Sequence, residues 1–171
     1  MKKLKLLFML AMSIVGFALR SSAQIILPEV KIVASTYKYL NATDNKEMSQ
    51  PVRMLEFQAA SYDVKKSEFY DDDYDGYYIS FFIPNGKILA AYDKNGKLLR
   101  TAEKFKNTKL PAAVSEAVVQ RFPNWTIAQD IYQLNYFDHK EKADKIFKLL
   151  LENGDKRMKV KLNEKGEFIK D

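Results

Sequence analysis

Very short turns separate the strand-like segments of this chain, and this spacing constrains its fold more than any other feature. Residues 77–83 (YYISFFI), 87–92 and 97–103 have the composition of strands, and only Pro84-Asn85-Gly86 and Asp93-Lys94-Asn95-Gly96 separate them. Glycine suits such turns because it adopts positive φ without steric cost. A parallel crossover needs a dozen residues or more, so these connections predict an antiparallel meander.

A second series of strands and turns follows. Residues 126–136, 145–152 and 157–162 alternate in polarity, and Asn153-Gly154 and Glu164-Lys165-Gly166 supply the turns. Gly86 and Gly154 are 68 residues apart, and Gly96 and Gly166 are 70 apart. The spacing favours a pseudo-repeat of 52–104 and 105–171, although limited turn chemistry can also make unrelated hairpins look alike.

One segment, residues 110–122, has helical periodicity instead. Val114, Val118 and Phe122 form an apolar stripe, Pro111 suits a first helical turn, and Pro123 stops the helix. We therefore predict an α+β fold in which one main helix packs on the sheet. Residues 52–60 alternate with period two and are interpreted as a half-buried strand, and residues 24–51 as an N-terminal arm and loop.

The N-terminus has the pattern of a secretory signal peptide. Lys2, Lys3 and Lys5 precede an apolar run over 6–18, and Ser21-Ser22-Ala23 offers small residues before a cleavage site. The alternative, a transmembrane anchor, is disfavoured because the run is shorter than the ~20 residues that span a bilayer. We expect residues 1–23 to be removed and the mature protein to be periplasmic or secreted, with no membrane span.

Removing the signal peptide changes the charge of the chain. Four basic residues leave with it and no acidic ones, so the net charge falls from +6 to +2. That balance gives no support to nucleic-acid binding. Removing 23 of the 171 residues leaves 148, enough for one domain, and without cysteine its stability depends on packing alone.

An acidic segment matches part of a calcium loop. Asp71, Asp73 and Asp75 followed by Gly76 reproduce its first half, in which alternate carboxylates surround the ion. The position that should supply a bidentate glutamate is Phe82. A partial Ca²⁺ site and a solvated acidic turn both remain open.

Aromatic residues crowd the same region and are the best candidates for a binding face. Tyr77, Tyr78, Phe81 and Trp125 form this candidate set, because exposed aromatics mark interaction sites. The alternative is a central strand whose aromatics belong to the core.

No catalytic motif is present. His139, the single histidine, lies in a charged hairpin tip, and the chain has neither a phosphate-binding glycine loop nor the cysteines of a zinc site. Glu56, Glu68 and Asp130 are available for acid–base chemistry, but their spacing does not distinguish them from surface carboxylates. We expect no catalytic residues.

Two motifs resemble the PepSY-like proteins exported by Bacteroidetes. The matching residues, within 76–171, are Leu110-Pro111-Ala112-Ala113-Val114, Ala117-Val118 and Arg121-Phe122-Pro123-Asn124-Trp125, with the glycine turns at 93–97, 153–154 and 164–166. Asn124 stands where the family often has glycine. The resemblance implies a fold similar to the β-lactamase-inhibitor protein and a non-enzymatic module that binds a protein or peptide partner, with a proposed inhibitory role. A calcium-binding module and an enzyme of unrecognised type are the alternatives.

The signal-peptide interpretation predicts the mass of the exported protein. We expect intact-mass spectrometry of the secreted or periplasmic form to give a chain that begins at Gln24, because Ser21 and Ala23 occupy the positions that signal peptidase reads. Retention of residues 1–23 in a membrane fraction would instead support the anchor.

Overall fold

Six strands form one antiparallel sheet in chain order, which confirms the predicted α+β class. The computed structural model describes residues 34–43 and 46–170, which belong to a compact unit of residues 31–171. The predicted signal peptide and residues 24–33, 44 and 45 of the predicted arm and loop lie outside the described residues. The strands are β1 Gly76–Ile83, β2 Gly86–Asp93, β3 Leu98–Lys106, β4 Thr126–Phe137, β5 Asp144–Asn153 and β6 Lys156–Asn163.

Within the described residues, three α-helices, where one main helix was expected, cover one face of this sheet. They are α1 Ala34–Thr43, α2 Gln50–Ser61 and α3 Ala112–Arg121, and a single 3₁₀ turn, Val64–Lys66, follows α2. The predicted helix at 110–122 corresponds to α3, which directs Val114 and Val118 into the core. The segment 34–43, which the sequence placed in the arm and loop, is helical.

The predicted strand at 52–60 is wrong, because these residues form α2. Its buried positions are Val52, Leu55, Glu56, Ala59 and Ala60, which follow the helical rather than the strand period. Phe57, which alternation placed inside, is 40% exposed. Pro51 in the first turn starts the helix, and most of the residues that follow are strong helix formers.

The two halves of the sheet join through a row of aromatic rings. Phe105 on β3 stacks on Tyr132 on β4 at 6.1 Å between centroids, and Tyr132 stacks on Phe147 on β5 at 4.9 Å. All three rings are fully buried. Gly86 makes room for the row, since a Cβ there would lie 2.1 Å from the Phe105 ring.

Two turns, 70 residues apart, share one geometry. The Asp93 carboxylate accepts from the N–H groups of Asn95 and Lys97, and the Asn163 side-chain oxygen accepts from those of Lys165 and Glu167. Gly96 and Gly166 adopt φ of 81° and 78°. The duplication remains a prediction, and this match is consistent with it.

A pair of carboxyl groups is buried between the helices and the sheet. Glu103 on β3 and Glu56 on α2 are 3% and 2% exposed. Tyr39 Oη and Thr101 Oγ1 each donate a hydrogen bond of 2.7 Å to Glu103 Oε1. Burial raises the pKa of Glu103 to about 7, although hydrogen bonds from Thr101, Tyr39 and Glu56 oppose the rise.

This pKa makes the stability of the fold depend on pH. The folded state keeps Glu103 protonated up to about pH 7, whereas the unfolded chain releases that proton near its ordinary pKa of about 4.5. The free energy of unfolding should therefore fall as pH rises between those two values. We expect Glu103→Gln to flatten this dependence in urea unfolding at pH 5 to 8.

Glu68→Gln is the matched control, because Glu68 is exposed. An unchanged pH dependence in Glu103→Gln would show that the buried pair does not govern it.

Candidate functional site

The face of the sheet opposite the helices, here called the open face, is the candidate binding surface. The core-facing positions of every strand, together with buried residues of α1, α2 and α3, form one hydrophobic cluster on the other side. Side chains that alternate with those core positions are exposed or half-buried, apart from Ala91. In the described part of the chain, therefore, no helix packs on the open face.

Cationic side chains dominate the open face. The strand registers place eight of them there, against the three carboxylates Asp93, Asp144 and Glu152. Glu152 is held by Arg157 at 2.8 Å. The eight are Lys87, Arg100, Lys104, Lys106, Lys148, Arg157, Lys159 and Lys161.

The charge of the protein is thus divided unevenly between the open face and the rest of the chain. The open face carries a net +5 from these eleven side chains, while the expected mature chain totals +2, so its other charged groups sum to −3. The net charge of the whole chain does not show this division. Assigning each charged residue to one side of its strand by alternation would have predicted it.

Two pairs of lysines lie directly opposite each other across neighbouring strands. Lys87 faces Lys104 between β2 and β3, and Lys148 faces Lys161 between β5 and β6. Like charges at directly opposed positions destabilise a sheet. An anionic partner would relieve this repulsion.

Apolar side chains alternate with the cations. Tyr78 and Phe82 on β1 are 72% and 68% exposed, and Leu89 lies on the neighbouring strand. Phe82, Lys87, Lys104 and Lys106 line a shallow cleft of about 340 Å³ beside the β1–β2 turn. Half-buried Ile131, Phe137, Ile146 and Leu150 continue the apolar surface over β4 and β5.

The predicted aromatic face is divided between the two sides of the sheet. Tyr77 and Phe81 are 6% exposed and belong to the core, so their assignment to a binding face is wrong. Trp125 is half-buried against the core. Tyr78 does lie on the open face. The other large aromatic residue of β1 on that face is Phe82 and not Phe81, because successive strand residues point to opposite sides of the sheet.

The acidic turn holds itself by local hydrogen bonds. The Asp71 carboxylate accepts from the N–H of Asp73 at 3.0 Å, and Tyr77 Oη donates to the Asp71 carbonyl at 2.6 Å. Within residues 34–43 and 46–170, no three histidine, cysteine or acidic side chains are grouped so as to hold a metal ion. Calcium binding by Asp71, Asp73 and Asp75 remains a prediction.

The other residues considered for chemistry are dispersed. Asp130 accepts a 3.0 Å hydrogen bond from the N–H of Thr108, and burial raises the pKa of its carboxyl. Glu56 lies in the core, Glu68 is exposed, and the His139 ring packs near Phe137 at 5.6 Å. None of them lines the cleft beside Phe82.

None of the helices described here has the length and apolar character that crossing a membrane requires.

Comparison with known proteins gives similarity in structure alone. No family model matches the chain, and no curated protein matches it. A BLIP-like protein from Bacteroides fragilis NCTC 9343 is similar in structure, with 14% sequence identity and a TM-score of 0.33 over 84% of this chain and 86% of that chain. The function is therefore argued from the open face itself.

The opposed lysines predict that one substitution stabilises the sheet. Lys104→Glu converts the Lys87–Lys104 repulsion into an attraction, so we expect the free energy of unfolding to rise by about 0.5 kcal/mol at low salt. Urea unfolding in 20 and 500 mM NaCl measures it. Lys94→Glu, in the β2–β3 turn, is the control, and an equal gain there would indicate a general charge effect instead.

Proposed function

We propose that this chain is an exported, non-enzymatic module of the PepSY-like type that binds an acidic protein surface through its open face. The observation that carries the proposal is the segregation of eight cationic side chains, interspersed with apolar ones, on a sheet face that none of the described helices covers. A periplasmic or cell-envelope location and an inhibitory action on the partner belong to the same proposal.

The dimensions of the open face suit a protein partner. Six strands of about eight residues span about 25 Å in each direction. This corresponds to about 600 Å², close to the ~800 Å² that one protein contributes to a standard interface. Its cleft is too shallow to enclose a small molecule on most sides, as ligand pockets usually do.

The side chains of the open face indicate which residues would supply binding energy and which would supply specificity. The apolar side chains on β1, β4 and β5 would lose water on binding and supply most of the affinity. The lysines and arginines around them would select an acidic surface and accelerate its association. An anionic partner would also remove the lysine–lysine repulsion that the free protein carries.

Charge reversal on the open face tests the proposal. Exported wild-type protein and a Lys148→Glu/Lys159→Glu variant, both immobilised, are incubated with envelope extract at 50 and 300 mM NaCl. We expect wild-type protein to retain a partner of acidic isoelectric point, binding to weaken at the higher salt, and the variant to lose the partner at least tenfold.

The matched control is Arg53→Glu/Lys65→Glu, which changes the net charge equally at exposed positions of α2 and the 3₁₀ turn. Equal loss in the control, or retention by the open-face variant, would contradict the proposed site. Retention that disappears after nuclease treatment would identify nucleic acid as the ligand and overturn the protein-binding assignment.

A further inference from the structure

The two edges of the sheet are protected very differently. The β6 edge carries Lys156, Arg157, Lys159 and Lys161, and the chain returns along it, with a bridge between Leu162 and Phe168 and a 2.8 Å hydrogen bond from Ile169 N to Lys161 O. The β1 edge contains no charged residue from Gly76 to Ile83. Within the described residues, no strand pairs with its outer side.

A long, apolar edge strand tends to pair with another strand. Natural sheets protect such edges with charges, proline, a bulge or a covering segment. β1 has eight residues, pairs with β2 in an unbroken register, and has no charge or proline within it. Tyr78 and Phe82 also leave much of their surface exposed. The edge is thus suited to a partner strand.

The two ends of β1 have opposite charge. Asp71, Asp72, Asp73 and Asp75 immediately precede the strand. Lys87, Lys104 and Lys106 surround the cleft at its other end, and none of the described carboxylates forms a salt bridge with them. An antiparallel copy of the same strand would bring each acidic end beside a basic end, twice in one interface.

We propose that the protein forms a two-fold symmetric dimer in which the β1 strands of two copies pair antiparallel about Ser80. In this register, Tyr78 lies opposite Phe82 of the second copy, on both sides of the axis. The interface is isologous, as in most two-fold dimers. It joins the two sheets into one of twelve strands and places their open faces side by side.

A second copy fits this edge better than an unrelated strand. The charge complementarity belongs to the chain itself, because the acidic and basic ends flank the same eight residues. Parallel pairing would place like charges together. The proposal does not depend on the proposed function, since it concerns the edge of the sheet and not an external ligand.

Cysteine cross-linking tests the register directly. The chain has no cysteine, so Ser80→Cys introduces a single thiol. Opposed residues of antiparallel strands have Cα atoms about 5 Å apart, within the range of a disulfide. We expect mild oxidation of Ser80→Cys to give a covalent dimer, while Asn135→Cys, on the open face away from the edge, stays largely monomeric.

Sedimentation at 50 and 500 mM NaCl measures the non-covalent dimer. We expect wild-type protein to sediment at twice the monomer mass at low salt, with its dissociation constant raised about tenfold at high salt. Ser80→Lys should sediment as a folded monomer, as judged by circular dichroism, because two lysines would face each other at the axis.

Complementary charge reversals supply a second test. Two triple variants are compared, each of which should be monomeric alone, and together they should form a heterodimer when mixed. They are Asp71→Lys/Asp73→Lys/Asp75→Lys and Lys87→Glu/Lys104→Glu/Lys106→Glu.

A wild-type monomer at 100 µM and low salt would overturn the proposal. So would a dimer that persists in Ser80→Lys, because it would use another surface. Ser80→Lys keeps every open-face cation, so loss of the dimer and loss of partner binding are distinguishable.

Discussion

Stacking of Phe105, Tyr132 and Phe147 is the interaction on which the rest of the structure depends. These rings cross the boundary between β3 and β4, the point where two three-stranded meanders become one sheet. Each meander alone would have little apolar surface to bury. Joined through the rings, they share a single core with the three helices. The wide and continuous open face is a consequence of the same junction.

The two sides of the sheet differ in the environment of their ionisable side chains. On the core side, Glu56 and Glu103 are withdrawn from water, and Glu103 accepts hydrogen bonds from Tyr39 and Thr101. On the open side, eight cations share one face of the sheet, and among them Arg157 is paired with Glu152 at 2.8 Å. The first arrangement links the stability of the core to protonation, whereas the second stores electrostatic repulsion at the surface. The proposed binding role would account for the second arrangement, because a surface that only had to be soluble would intersperse opposite charges.

The sequence predicted those parts of the fold that depend on local chemistry. The six strands and their turns were recognisable because Asn85-Gly86, Asn153-Gly154, Gly96 and Gly166 encode turns within a few residues. Helix α3 was recognisable from Pro111, Pro123 and its apolar stripe. Helices α1 and α2 were missed because some of their buried positions are polar, namely Thr36, Thr43 and Glu56, and because residues 52–60 also alternate with period two. A hydropathy pattern treats such residues as exposed, whereas the tertiary fold buries Thr36, whose hydroxyl donates to the Ala60 carbonyl.

The open face was missed for a different reason: it depends on which strands are neighbours, and net charge averages over both faces. Strand pairing also restricts which amino-acid substitutions this protein can accept during evolution. Gly86 leaves no room for a side chain because the Phe105 ring, its partner on β3, fills the space above it. A larger residue at 86 is compatible with the fold only if a smaller one replaces Phe105, which would remove the first ring of the aromatic row. The two positions therefore form a linked pair, and among descendants of this chain they should be inherited together or replaced together.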